Sequence, residues 1–157
     1  MDLHRELERH RKEHDEILRF LKEFDGALAL AAAESDKERG AGVAQLSKME
    51  EKLAEIREHC REEEQSIESP FEMYLDDYAL DDLHIEHQLL ERHSHDFCAE
   101  LTAVTAPPPT GTLVRLGRRL LEQLRRHIAR EEELLKQIEE GSAAEEKLRL
   151  RYTQPGE

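Results

Sequence analysis

The chain has 157 residues, enough for one domain with a proper core. A formal net charge of −14 excludes the basic footprint that nucleic-acid binding needs, and it disfavours anionic membrane surfaces. Charged residues make up 38% and aromatics only 4%; the rest is rich in Ala and Leu, a composition of long amphipathic helices rather than sheets.

The first predicted element carries apolar or histidine side chains at Leu3, Leu7, His10, His14, Ile17, Leu21, Phe24 and Leu28. Steps that alternate four and three are the seam of a bundle helix, expected from about residue 2 to 33. ESDKERGAG, with Ser35, Asp36, Gly40 and Gly42, reads as a turn. A second seam runs through Leu46, Met49, Leu53, Ile56, Cys60, Glu63 and Ile67, with His59 beside it, and Pro70 is expected to end that helix. FEMYLDDYALDD reads as a connection with room for a helical turn. The third seam is Leu80, Leu83, His87, Leu90, Ser94, Phe97, Leu101 and Val104, and the prolines of APPPTGT close it. The fourth is Leu113, Gly117, Leu120, Leu124, His127, Glu131, Leu134 and Ile138. Gly141 is the expected C-terminal cap, and Ser142-Ala-Ala-Glu145 resembles a capping box that opens a short tail helix. The end, TQPGE, reads as frayed.

Four long amphipathic segments joined by fairly short connections predict an all-α, up-down-up-down four-helix bundle over 1–141, followed by a C-terminal tail over 142–157. Cys60 and Cys98 show no disulfide or CxxC spacing and read as small core fillers in a reducing compartment. The N-terminal stretch is charged from its second residue, unlike a signal peptide, and no apolar run is long enough for a bilayer. A cytoplasmic location is therefore expected.

The halves repeat. An offset of 73 positions pairs His14 with His87, Leu7 with Leu80, Ile17 with Leu90 and Phe24 with Phe97. An offset of 68 pairs His59 with His127, Glu63 with Glu131 and Ile56 with Leu124. In His59-Cys-Arg-Glu-Glu63 and His127-Ile-Ala-Arg-Glu131, imidazole and carboxylate stand at i and i+4, on one face of a helix and in reach of one cation. With the seam histidines His14 and His87, four imidazoles and two carboxylates converge from four helices. Six donors oversupply one ion but serve two that share the carboxylates. Nitrogen and carboxylate oxygen together suit iron, zinc, copper or nickel. A glutamate in an apolar seam costs several kcal/mol unless paired or ligated, and bound cations would compensate both. A single HxxxE in so acidic a chain is ordinarily a solvated pair; two matched copies joined by matched histidines are a much more specific signal.

These residues resemble the hemerythrin-like family, also called the HHE cation-binding domain. Its pattern of His, HxxxE, His and HxxxE on successive helices reads here as His14, His59/Glu63, His87 and His127/Glu131, in the surrounding text EHDEIL, HCREEE and HIAREEELL. The resemblance implies two iron ions in a non-haem, carboxylate-bridged centre, with O2, NO or peroxide as the small ligand, in binding, sensing or iron homeostasis. It leaves open an enzyme that decomposes peroxide or reduces nitric oxide, an iron donor for repair of iron–sulfur centres, and an unknown protein partner. A metal-free interaction module is the remaining alternative. The oxygen-carrying hemerythrins have a second helix-three histidine where this chain has Leu83, and a closing aspartate one residue beyond Glu131. The repeat maps Leu83 onto His10, so His10 is a candidate fifth imidazole for the other ion of the pair; the alternative is a seam histidine hydrogen-bonded to a carboxylate or water. His84 and Glu91 are expected near the site, Glu91 as a partner orienting His87 or an extra ligand. His4, His93 and His95 are expected on the surface.

Overall fold

The computed structural model describes residues 2–65, 69–104 and 109–153. Among these, every regular element is a helix: α1 Leu3–Ala31, α2 Asp36–Lys48, α3 Glu50–Gln65, α4 Pro70–Tyr74, α5 Asp77–Ala103 and α6 Gly111–Thr153. None is long and apolar enough to cross a membrane.

Side-chain oxygens start three of them. Asp2 accepts from Arg5 N at 3.3 Å, Ser35 from Glu38 N at 3.1 Å and Asp76 from Ala79 N at 2.8 Å, each satisfying an amide that has no partner within its helix. The Ser35 cap explains why the expected turn at residues 34–42 is shorter than predicted. The chain reverses over a few residues and is helical again from Asp36, with Gly40 and Gly42 inside α2. Gly42 is there for close approach: a Cβ on it would lie 2.3 Å from the backbone nitrogen of Ala31. The second seam is not one helix, for the chain turns at Met49 between α2 and α3. Ile67 lies outside the described residues. Pro70 opens α4, where its missing N–H costs nothing, and Ser69 before it is extended; residues 66–68, between α3 and Ser69, lie outside the described residues.

At the other end of the chain, Gly141 is no cap. Helix α6 runs through it to Thr153, so the expected tail is a continuation of α6 and Ser142 starts no new helix. A glycine inside a helix costs about 1 kcal/mol relative to alanine, which the helix-forming run Glu145-Glu-Lys-Leu-Arg offsets. Within the predicted frayed end, Thr153 is helical and residues 154–157 lie outside the description, as do residues 105–108 of the proline-rich connection.

The long helices pack side by side, and cross-helix pairs give their directions. Arg11 reaches Glu139 at 2.5 Å, Arg125 reaches Asp25 at 3.5 Å and the Thr110 hydroxyl donates to the Ala31 carbonyl at 2.5 Å, so α1 and α6 are antiparallel. Arg57 to Ser94 (2.6 Å) and Arg61 to Glu91 (2.7 Å) show the same for α3 and α5. The seams face inward and build two apolar clusters. The larger contains Ile17, Phe24, Leu28, Ile56, Leu90, Phe97, Leu120 and Leu124, with Phe24 and Phe97 edge to face at 5.3 Å. The smaller contains Leu7, Phe71, Leu83, Leu135 and Ile138. Each such side chain contributes about 1.5–3 kcal/mol by leaving water. Between the clusters, along α1, α3, α5 and α6, the seam switches to histidine and glutamate.

Candidate metal centre

That polar layer is buried on every side. The side chains of His14, Glu63 and Glu131 have no exposure, those of His87 and His127 are 4% and 2% exposed, and His59 is the most open at 10%. The six groups matched by the repeat do meet. His14 Nε2 lies 3.3 Å from Glu131 Oε1 and 3.9 Å from Glu63 Oε1. His87 Nε2 lies 3.2 Å from Glu63 Oε2, and His127 Nε2 lies 3.0 Å from Glu131 Oε1. His59 Nε2 contacts Glu63 one turn along α3, as the i, i+4 spacing requires. Glu63 and Glu131 therefore stand in the middle, each with imidazoles from more than one helix around it.

His10 joins them. It is 3% exposed and neither ring nitrogen is hydrogen-bonded to a protein group, a carboxylate included. Its ring packs against Phe71 at 5.5 Å and lies 5.9 Å from the His59 ring. Two sets of donors emerge. Ligand atoms of His10, His14, His59 and Glu63 lie within 4.8 Å of one another, and so do those of Glu63, His87, His127 and Glu131. Glu63 belongs to both.

The outer nitrogens of the rings face a second set of carboxylates, and those of His14 and His87 are hydrogen-bonded to them. His14 Nδ1 lies 2.6 Å from Glu132, His87 Nδ1 2.7 Å from Glu64, His59 Nδ1 2.7 Å from Glu13, and His127 Nδ1 3.6 Å from Glu86. An ionised carboxylate only accepts, so the hydrogen bonds of His14 and His87 place the ring hydrogen of those two on Nδ1. In the neutral imidazole the Nε2 lone pair then points inward, the orientation that outer carboxylates impose on metal-binding histidines. Sequence reasoning assigned this role to Glu91 and missed all four residues. Glu91 instead meets Arg61 at 2.7 Å, and His84 meets Glu72 at 3.5 Å, away from the centre. His4 and His95 are exposed as expected, but His93 is half-buried against Gln123. A signal was nevertheless present. Glu13 and Glu86 each precede a seam histidine, Glu64 and Glu132 each follow an HxxxE glutamate, and both pairs obey the offsets of the repeat.

Electrostatics show what the layer lacks. Burial opposes charge on His14, yet Glu131, Glu63 and Glu132 hold its pKa up at about 10. Burial likewise opposes charge on His59, which Glu13 and Glu63 raise to about 11. His127 is raised by the Glu131 charge and by contacts with Cys60, Glu131 and Glu86, again against its burial. Glu131 goes the other way: burial works to raise it, and the His127 charge with contacts to Glu63, His127 and His14 keeps it low. His10, without a carboxylate contact, is lowered by burial. Even so, both oxygens of Glu63 and of Glu131 and the Nε2 atoms of His14 and His59 have no hydrogen-bond partner. Buried acceptors without donors are costly, about 1–3 kcal/mol each and more when charged. A divalent cation, bound by deprotonated nitrogen and oxygen, satisfies such a set.

On the α1/α3 side a cleft of about 470 Å³ reaches His10 and His59, and Glu6, Arg9, Glu13, Glu62 and Ser69 complete its lining. The layer thus consists of buried His/Glu clusters that could hold metal ions, shielded above and below by apolar residues and reached past an acidic rim. Comparisons of the chain with family models, with curated proteins and with solved structures find no match.

Proposed function

We propose that the protein is a hemerythrin-like, non-haem di-iron protein, an up-down-up-down four-helix bundle that binds a small ligand: O2, NO or peroxide. The observation that carries this reading is the pairing of inner and outer donors. Inside, four imidazole Nε2 atoms and two carboxylates converge; both oxygens of each carboxylate and the Nε2 atoms of His14 and His59 have no hydrogen-bond partner, while His87 and His127 hydrogen-bond each other through Nε2. Outside, each of those imidazoles faces a carboxylate through Nδ1. A layer built only for stability would satisfy its groups among themselves; this one leaves both central carboxylates without hydrogen bonds and sets carboxylates behind the rings, with Glu132 and Glu64 hydrogen-bonded to His14 and His87.

His10, His14 and His59 would hold one ion and His87 and His127 the other, with Glu63 and Glu131 shared between them. Nitrogen and oxygen donors without a full thiolate cage suit iron among the metals such a set accepts. Bound iron supplies exchangeable electrons and affinity for a diatomic or peroxide ligand. The chain's own residues do the rest. Glu13, Glu64, Glu86 and Glu132 fix ring orientation and raise ligand basicity. Leu83, Leu90 and Leu124, with the apolar clusters on either side, keep water out and so strengthen every electrostatic contact within the layer.

Anaerobic reconstitution with ferrous iron, metal analysis, and an optical spectrum after air and then azide test the reading. Two irons per chain with charge-transfer bands of an oxo-bridged ferric pair are expected. A folded chain that retains no metal would instead support the competing reading, a metal-free module whose glutamates are balanced by protonated imidazoles; the raised pKa values of His14 and His59 favour that reading. Stopped-flow mixing with O2, NO and peroxide separates a binding protein, which forms a stable adduct, from an enzyme, which turns over.

A further inference from the structure

Each half of the centre has one donor that the repeat does not duplicate. On the α1 side it is His10, matched by Leu83; on the α6 side it is Cys60, matched by Ile128. Cys60 follows His59 on α3, and one residue is about 100° of helix, so while His59 faces α1 the thiol faces α5 and α6. The Cys60 Sγ and the ligand nitrogens of His87 and His127 lie within 4.8 Å of one another, the same closeness as in the two His/Glu sets. Cys60 is 7% exposed. Glu131, fully buried and with no hydrogen bond to either oxygen, meets the same two histidines, 3.0 Å from His127 and 3.8 Å from His87. The thiol also borders a cavity of about 40 Å³ that has Leu53, Ile56, Leu90, Leu120 and Leu124 in its wall, together with polar residues that include Glu64 and His87.

We infer that Cys60 is a thiolate ligand to the cation held by His87 and His127. This rests on the dinuclear reading above. The half containing His10 then offers three imidazoles, the other two imidazoles and a sulfur, with the glutamates shared. On binding, the sulfur–metal bond forms and the thiol proton leaves to solvent; no electron is transferred and no other reactant is needed. Sulfur makes the second half the softer site, with the greater preference for zinc or cuprous ion, so the two positions differ in which metal they hold.

Cobalt(II), loaded anaerobically into the full chain and counted by elemental analysis, tests the assignment. The wild type is expected to bind two cobalt ions and to show a near-ultraviolet sulfur-to-cobalt charge-transfer band. Since the chain has two cysteines, the band should persist in Cys98→Ser, which assigns it to Cys60 without disturbing the centre. In Cys60→Ser or Cys60→Ala the band should vanish. One of the two ions should also weaken by more than the roughly 10–100-fold that loss of an outer partner costs. Two bound cobalt ions without the band, or a band lost in Cys98→Ser, overturns the thiolate and leaves the dinuclear reading intact. A wild type that retains no cobalt overturns both.

Discussion

The two halves of the centre descend from one pattern and differ where the pattern is broken. In the α1/α3 half, His10 adds a buried imidazole with nothing bonded to it, and an acidic cleft brings solvent close to His59. In the α5/α6 half, Leu83 replaces that imidazole, the two rings approach each other with Nε2 atoms 3.0 Å apart, and Cys60 stands beside them. What the halves share, namely HxxxE, seam histidine and outer carboxylate, makes each a cluster that could hold a cation. What they do not share makes the two positions unequal.

The largest effect should come from removing what the halves hold in common. Glu131→Ala strips the charge that balances His14 and His127 and leaves buried imidazoles uncompensated, a loss of about 3–5 kcal/mol in the metal-free protein. It should also abolish binding of both ions, as read by denaturant titration and metal analysis. Next comes the asymmetry itself. His10→Leu installs the residue the other half already has. It removes two unpartnered buried nitrogens, so the metal-free protein should gain about 1–3 kcal/mol while one of the two ions is lost. Full iron content and an unchanged spectrum in that variant would falsify a ligand role for His10. Outer carboxylates should matter less and unequally: Glu132→Gln and Glu64→Gln should each weaken one ion by roughly 10–100-fold. Glu86→Gln should do less, because its contact with His127 is the longest of the four.

The pH response sharpens the same comparison. A histidine whose folded pKa is raised stabilises fully below its unfolded value and loses that contribution as pH climbs through the folded value. With His14 at about 10 and His59 at about 11 against an unfolded 6.5, the metal-free protein should lose thermal stability from near neutrality up to about pH 10–11. Metal binding, which must displace those protons, should tighten over the same range. The smallest effect expected at the centre is from Gly42→Ala. A Cβ there meets the backbone of Ala31, so overpacking should cost about 1–3 kcal/mol of stability with metal content unchanged.

Much of this was legible in the sequence because burial imposes a period. Heptad-like spacing marked the inward faces of α1, α5 and α6, and a histidine or glutamate on such a face stands out against leucine. The outer carboxylates were harder to see. Glu13, Glu64, Glu86 and Glu132 sit one residue off the seam, where glutamate in so acidic a chain looks like ordinary solvated charge; their pairing across helices, not along them, gives them a role. The sequence reads Cys60 as core filler, and it does belong to the larger apolar cluster; that the rotation of α3 also turns it toward His87 is a tertiary fact. Helix ends were misjudged where a single residue type was given too much weight. Gly141 is overridden by strong helix formers around it.

The central claim is that one buried layer holds two cations, one in each half, around Glu63 and Glu131. Anomalous diffraction at the iron edge from crystals of the reconstituted protein tests it most directly. The account predicts two peaks in that layer, one among His10, His14 and His59 and one beside His87 and His127. Well-folded protein with no peak there, or with iron found only on surface carboxylates, contradicts it.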